Sequence, residues 1–99
     1  MTLRFHPDAL QEYQAAVEHY ESRQIGLGAR FIQAIEDALI SVREAPDRWP
    51  VLEQDVRRRL VRVFPYALLY TVEADHVLIL AVMHCHRRPG YWRSRVRKG

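Results

Sequence analysis

Hydrophobic positions in the first half of the chain recur at helical spacing. One stripe lies between residues 9 and 20, and a second begins at Leu27. The two stripes consist of Ala9, Tyr13, Ala16, Val17 and Tyr20, and of Leu27, Phe31, Ala34, Ile35, Ala38, Leu39 and Val42. Steps of three and four residues place each set on one face of a helix. Gly26 and Gly28 separate the stripes, and the second helix must end before Pro46, because proline disfavours helix in the residue before it. The pattern predicts a helical hairpin.

A short strand is expected before the hairpin. Residues 2–6 alternate between polar and apolar side chains, and Pro7 cannot continue a strand ladder. Asp8 is a residue type suited to a helix N-cap. We therefore expect the first helix to begin at Asp8.

The second half of the chain changes to a period of two. Residues 57–64, 67–73 and 77–86 are rich in β-branched and aromatic side chains, and short breaks separate them. The last segment is apolar on both faces, as expected of a central strand. Residues 45–55 show no period and are interpreted as an ordered surface loop. The prediction is an α+β fold in the two-layer order β-α-α-β-β-β, with an N-terminal strand and helical hairpin packed on an antiparallel sheet. A short C-terminal helix or tail follows it.

Length and composition limit the possible sites. The 99 residues are enough for one domain, predicted here over 1–99, whose site should be shallow and on the surface. Cys85 is the single cysteine and cannot form an internal disulfide. No apolar run approaches the roughly 20 residues that span a bilayer, and no secretory signal precedes Pro7. We expect a cytoplasmic protein that does not bind a membrane.

Charge is divided unevenly along the chain. Residues 1–56 carry a formal charge of −5, and residues 57–99 carry +8. Fourteen of the fifteen basic residues are arginine, whose planar guanidinium group binds carboxylates and phosphates in a bidentate manner. The basic half indicates an anionic partner, either nucleic acid or an acidic polypeptide.

Candidate chemistry is concentrated near the end of the last predicted strand. Alternation places His84 and His86 on one face, with Arg87 and Tyr91 close behind. Cleavage of RNA needs a base, an acid and cations at the phosphate, and these side chains supply all three without a metal or other cofactor. The alternative is a pair of packed histidines with no catalytic role.

Other residues of the same stretch have similarly open interpretations. Tyr91 and Trp92 either stack on unpaired bases or cover the core with their rings. Cys85 is expected on the face opposite the histidines, as a small buried hydrophobe. A zinc site would need further ligands, and the remaining histidines lie in separate segments, so no metal site is predicted.

A second set of residues is predicted to bind nucleic acid or an acidic partner. The set is basic except for one tryptophan, and it lies on the predicted strands and the tail. Its members are Arg57, Arg58, Arg59, Arg62, Arg88, Trp92, Arg93 and Arg95, and Arg97 and Lys98 extend the basic tail. The alternative for Arg57–Arg59 and Arg62 is a solvated edge strand that charge protects from aggregation.

The second half of the chain resembles a known protein family. The residues that carry the resemblance are 58–70, with the run Arg62-Val63-Phe64-Pro65-Tyr66, then 77–82, then His84 with Arg87-Arg88-Pro89-Gly90-Tyr91-Trp92. In this order and spacing they resemble the RelE/ParE superfamily of bacterial toxins, and specifically its ParE-like, or plasmid stabilisation, branch. The resemblance implies the toxin half of a type II toxin-antitoxin pair, in a hetero-oligomer with an acidic antitoxin that wraps and neutralises it.

The two branches of this superfamily imply different targets. RelE-like toxins cleave mRNA in the ribosomal A site, whereas ParE-like toxins poison DNA gyrase. By position, an arginine of the RelE pattern falls on Ala67, a lysine on Leu60 and the terminal tyrosine near Trp92. These departures favour gyrase as the target. The first alternative is a ribosome-dependent, metal-independent endoribonuclease that uses His84, His86, Arg87 and Tyr91. The second is a degenerate member that only binds its antitoxin.

Overall fold

The chain folds as two helices against a five-stranded sheet, as seen in a computed structural model that describes residues 1–96. The elements in chain order are β1 (Thr2–Phe5), α1 (Pro7–Arg23), α2 (Leu27–Glu44), β2 (Val51–Glu53), β3 (Val56–Leu60), β4 (Tyr66–Val72), β5 (His76–His84) and a 3-10 turn (Arg93–Arg95). The predicted α+β class and order of elements are confirmed. Arg97 and Lys98, assigned above to a basic tail, lie outside the described residues.

The sheet is mixed, with strand order β1-β5-β4-β3-β2. The predicted N-terminal strand joins it as an edge strand parallel to β5, while the other neighbours are antiparallel. A short strand, β2, lies within the segment interpreted as a loop, and it pairs with β3 across an irregularity between Val51 and Glu53. A three-residue strand is too short to show a period of two in the sequence.

The helices begin and end close to the predicted positions. α1 begins at Pro7 and not at Asp8, because the His6 Nδ1 atom accepts the Asp8 N–H at 3.1 Å and so caps the helix. Proline suits the first helical position, where its missing N–H has no partner to lose. α2 begins at Leu27 and ends before Pro46, as predicted.

Two strands end earlier than their sequence pattern indicates. β3 ends at Leu60 and not at residue 64, and the chain then turns tightly, with the Val61 N–H donating to the Tyr66 carbonyl at 2.9 Å. Val63 in this turn has a φ of +73°. β5 ends at His84, so the alternation assumed for His84 to His86 stops at its first member.

Both faces of the sheet are covered. The helices pack on one face, where Phe31, Ile35 and Ile79 are fully buried. On the other face the C-terminal segment (residues 85–96) places Trp92, which is 2% exposed, against Val56. Trp92 is therefore a core residue, and its burial leaves the ring little surface for stacking on a base or contacting a partner.

No helix within residues 1–96 is long and apolar enough to cross a bilayer.

Candidate functional site

A turn at the end of β5 brings the two candidate histidines together. The His86 N–H donates to the His84 Nδ1 atom at 3.0 Å, and the two ring centroids lie 5.1 Å apart. Because Nδ1 accepts, the proton of a neutral His84 ring is on Nε2. Cys85 lies in this turn and is exposed, so its predicted burial is wrong: the strand has already ended, and no neighbouring strand covers it.

Three of the four predicted catalytic residues line one cleft. The cleft has a volume of about 200 Å³ and lies between α1 and the ends of β4 and β5. His84, Arg87 and Tyr91 contribute to its wall, and His86 contacts His84 beside it. The Arg87 guanidinium carbon lies 4.0 Å from the centroid of the Tyr91 ring, a cation–π contact.

Three ionisable residues of this cleft were not among the predicted site residues. Tyr66 places its ring 5.1 Å from that of His84, and His19 and Glu12 approach from α1. Tyr66 occurs in the sequence run that carries the resemblance, which could have marked it. Glu12 shares the polar face of α1 with Glu18, and no local signal in the sequence separates the two.

Glu12 organises the C-terminal segment. Its carboxylate accepts the Val82 N–H at 3.1 Å and the Tyr91 hydroxyl at 2.6 Å. Arg95 adds two bonds to the same carboxylate, at 2.8 and 3.0 Å, and donates to the Leu80 carbonyl at 3.0 Å. The Glu12 and Arg95 side chains are 16% and 11% exposed. Arg95 therefore fastens the segment to α1 and β5, and its guanidinium group, predicted above to bind a partner, is engaged in these internal hydrogen bonds.

Tyr91 is poorly suited to proton transfer near neutral pH. Burial raises the pKa of its hydroxyl far above the ordinary value, and the hydrogen bond to Glu12 and the charge of that carboxylate raise it further. The hydroxyl is directed at Glu12, at the short distance typical of an O–H donor on a carboxylate. Tyr91 thus behaves as a structural hydrogen-bond donor in this arrangement.

The arginine cluster of β3 is divided by the alternation of the strand. Arg57 donates to the Asp47 and Trp49 carbonyls at 3.0 and 2.7 Å. Arg59 donates to the Ser41 Oγ atom at 3.0 Å, and its guanidinium carbon lies 3.9 Å from the Trp49 ring centroid. Arg57 and Arg59 tie β3 to the preceding loop and α2. Arg58 is exposed and presents its charge to solvent.

The remaining predicted binding residues are on the surface. Arg62 and Arg88 are exposed. Arg93 is exposed as well, but it forms two 2.9 Å hydrogen bonds with the Glu53 carboxylate of β2. The hydrogen bond from Arg93, followed by its charge, lowers the pKa of Glu53. Arg58, Arg62 and Arg88 therefore have the guanidinium groups most available to a partner.

Within residues 1–96, no group of three or more His, Cys, Asp or Glu side chains is placed to hold a metal ion. His84 and His86 are adjacent, but no third such ligand joins them there.

Comparisons with known proteins agree with this architecture. A family model described as the ParE toxin of the type II toxin-antitoxin system parDE matches residues 3–89. A solved structure described as the chromosomal ParDE toxin-antitoxin system from P. aeruginosa superposes with a TM-score of 0.63 at 18% identity, covering 85% of this chain and 95% of that one. At this identity the structural likeness concerns the fold alone. The comparison with curated proteins gave no match.

Proposed function

Because the chain belongs to the ParE toxin family of type II toxin-antitoxin systems, we propose that it inhibits growth by docking onto DNA gyrase in the cytoplasm. Membership of this family implies an antitoxin partner. The choice of gyrase over the ribosome rests on the chemistry of the candidate site.

Two apolar residues favour gyrase over the ribosome as the target. They occupy positions where RNA-cleaving relatives have functional side chains. Ala67, at the position of an arginine in RelE-like toxins, is fully buried in β4. Trp92, near the position of their terminal tyrosine, is 2% exposed in the core. An alanine cannot supply charge to a phosphorane, and a buried indole cannot reach a leaving group. Both positions lack the polar group that metal-independent cleavage would require.

The neighbouring tyrosine does not replace the missing groups. Tyr91 directs its hydroxyl at Glu12, and the pKa of that hydroxyl is raised by burial. Loss of its proton to a leaving oxygen would leave two negative groups 2.6 Å apart. A toxin that acts by docking onto a much larger protein needs neither an acid nor a base at this cleft.

The second candidate function is ribosome-dependent cleavage of mRNA. It is favoured by the closeness of His84, His86 and Arg87 to one another at the end of β5. Paired assays separate the two functions. Purified toxin is incubated with gyrase and supercoiled plasmid, and separately with ribosomes programmed with mRNA. We expect trapped gyrase–DNA cleavage complexes and intact mRNA. Cleavage of mRNA in the A site that is abolished by His86→Ala would contradict the gyrase proposal.

A third outcome would leave only antitoxin binding. Inducing the toxin alone in cells should lower colony counts, and co-expression of the antitoxin should restore them. Unchanged colony counts on induction of a folded protein would mean that the chain is a degenerate member of its family.

We also propose that the acidic antitoxin contacts the exposed arginines of the basic half. Arg58 is the middle residue of β3 and Arg62 follows two residues after the strand ends, and both are exposed. Charge-assisted hydrogen bonds from such groups to carboxylates contribute about 1.5–3 kcal/mol each when buried in a complex, and less at its rim. An acidic segment can therefore bind here while the arginines that hold the fold together remain engaged.

A further inference from the structure

A groove lies between α2 and the β3–β4 turn (residues 61–65). It has a volume of about 570 Å³. Its apolar walls are formed by Ala34, Val63 and Phe64. Arg30 and Arg62 lie on its border, and Asp37 is the acidic residue of the lining. Arg59 adds a further positive charge. The groove is thus an apolar surface with a net positive border, which suits an amphipathic segment that carries acidic side chains.

Val63 is the unusual residue of this groove. The residue is 87% exposed, although its side chain is apolar. Its φ of +73° lies in the left-handed region, where a β-branched residue is a clear outlier. Glycine or asparagine would occupy this position with less strain, and neither would leave an isopropyl group in water. The position therefore lowers the stability of the fold in two ways.

The surrounding structure imposes this conformation. The Val61 N–H donates to the Tyr66 carbonyl at 2.9 Å, and the Tyr66 N–H donates to the Phe64 carbonyl at 2.8 Å. The Phe64 ring packs 4.9 Å from Tyr20 and 5.1 Å from Phe31, measured between centroids, so the turn is anchored in the core. With both flanks fixed, Val63 is held outward. Strain that is held in this way at an exposed residue points to a binding role.

We propose that Val63 is an anchor for the antitoxin, inserted into an acidic amphipathic segment of that partner when the segment occupies the groove. The inference rests on the proposed function in taking the antitoxin as the occupant, and it adds the groove and the residue. Burial of an exposed valine favours binding through the hydrophobic effect. The arginines on the border favour a segment with carboxylates on either side of its apolar face.

Three variants test the anchor. Val63→Gly relieves the backbone strain and removes the side chain, and Val63→Leu keeps an apolar side chain. Gln54→Gly is the matched control, because Gln54 also has a positive φ, of +48°, in the β2–β3 turn outside the groove. The measurements are the thermal midpoint of the full-length toxin and its Kd for the antitoxin encoded by the adjacent reading frame.

We expect both glycine variants to raise the thermal midpoint by about 2–8 °C, because glycine adopts positive φ without strain. Only Val63→Gly should weaken antitoxin binding, by about tenfold or more, while the Kd of Val63→Leu stays within about threefold of that of the original chain.

An unchanged Kd for Val63→Gly would overturn the inference and leave the proposed function standing. Failure of the original chain to bind the antitoxin would overturn both the anchor and the antitoxin contact proposed above for Arg58 and Arg62. Weaker binding to gyrase by Val63→Gly, with unchanged binding to the antitoxin, would assign the anchor to the target and also overturn the inference.

Discussion

The carboxylate of Glu12 holds the C-terminal segment in place through a single hydrogen-bonded group. It accepts from the Val82 N–H, from Tyr91 and twice from Arg95. A partly buried carboxylate is stable as an anion only when donors replace the water it has lost. Tyr91 and Arg95 therefore contribute more to the folded structure than to any partner, although both were predicted as functional residues.

Tyr91→Phe tests this role of the hydroxyl. The variant removes one donor from a partly buried carboxylate and should lower the free energy of unfolding by about 1.5–3 kcal/mol. Urea denaturation measures the change. Tyr13→Phe is the comparison, because the Tyr13 hydroxyl donates to Glu36, whose side chain is exposed to water, so we expect a smaller loss. Equal losses in the two variants would show that burial of Glu12 does not strengthen the bond.

Growth inhibition by Tyr91→Phe gives a second readout. If Tyr91 is structural, the variant should retain toxicity in proportion to the fraction that is folded at the growth temperature. A folded variant without toxicity would place the hydroxyl in the mechanism.

The C-terminal segment covers the face of the sheet opposite the helices. Trp92 fills the face opposite the helices and contacts the cluster of Val56, Leu69, Leu80 and Ala81. Arg93 fastens the same segment to β2 through Glu53. The segment is therefore a third layer over part of a fold predicted to have two.

Trp92→Ala should be strongly destabilising. Removing a buried indole costs about 3–5 kcal/mol, a large part of the stability of a domain of this size. Trp49→Ala is the matched control, because Trp49 is half-buried beside Arg59 and should cost less. Differential scanning calorimetry on the two variants makes the comparison. A Trp92→Ala protein as stable as Trp49→Ala would mean that the segment packs only loosely on the sheet.

Some boundaries of these helices and strands could be predicted from the sequence, and others could not. The bounds of α2 were predicted because its apolar stripe is continuous and Pro46 limits its end. β2 was not predicted, because a strand of three residues is too short to show a period of two in the sequence. The end of β3 was missed because the run through residue 64 keeps its period of two while the backbone at Val63 takes a positive φ.

The site was harder to predict than the elements. Proximity of His84, Arg87 and Tyr91 follows from their closeness in sequence, and it was predicted. The role of Glu12 was not, because it depends on donors about 70 or more residues away in the chain. Alternation separated Arg58 from Arg57 and Arg59, but only the contacts with Trp49 and Ser41 show which arginines are internally bound.

At the scale of the whole molecule, the contrast between an acidic first half and a basic second half indicates how partners approach. Arg57, Arg59 and Arg95 form hydrogen bonds within the protein. The exposed arginines of the basic half are Arg58, Arg62, Arg87, Arg88 and Arg93. An acidic antitoxin should be drawn to them by charge, and its affinity should fall as salt rises, because exposed charges are screened over about 8–10 Å at physiological ionic strength.

Reversal of charge at Arg58 and Arg62 tests this surface. Arg58→Glu with Arg62→Glu should weaken antitoxin binding by about a hundredfold or more, since two favourable contacts become repulsive. Arg23→Glu with Arg43→Glu changes the net charge equally at the last turns of the helices and should bind nearly as the original chain does. Titration calorimetry at two salt concentrations measures both pairs. Tight binding by the first pair would place the antitoxin on another surface.

We propose that this ParE-family chain acts on gyrase and does not use the cleft at the end of β5 as a nuclease site. The most direct measurement is the amount of linear plasmid released when purified toxin, gyrase, ATP and supercoiled plasmid are mixed and the protein is then digested. We expect linear plasmid that depends on both toxin and gyrase, persists with His84→Ala and His86→Ala, and disappears when antitoxin is added. Absence of linear plasmid, together with A-site cleavage of mRNA on programmed ribosomes that His86→Ala abolishes, would contradict it.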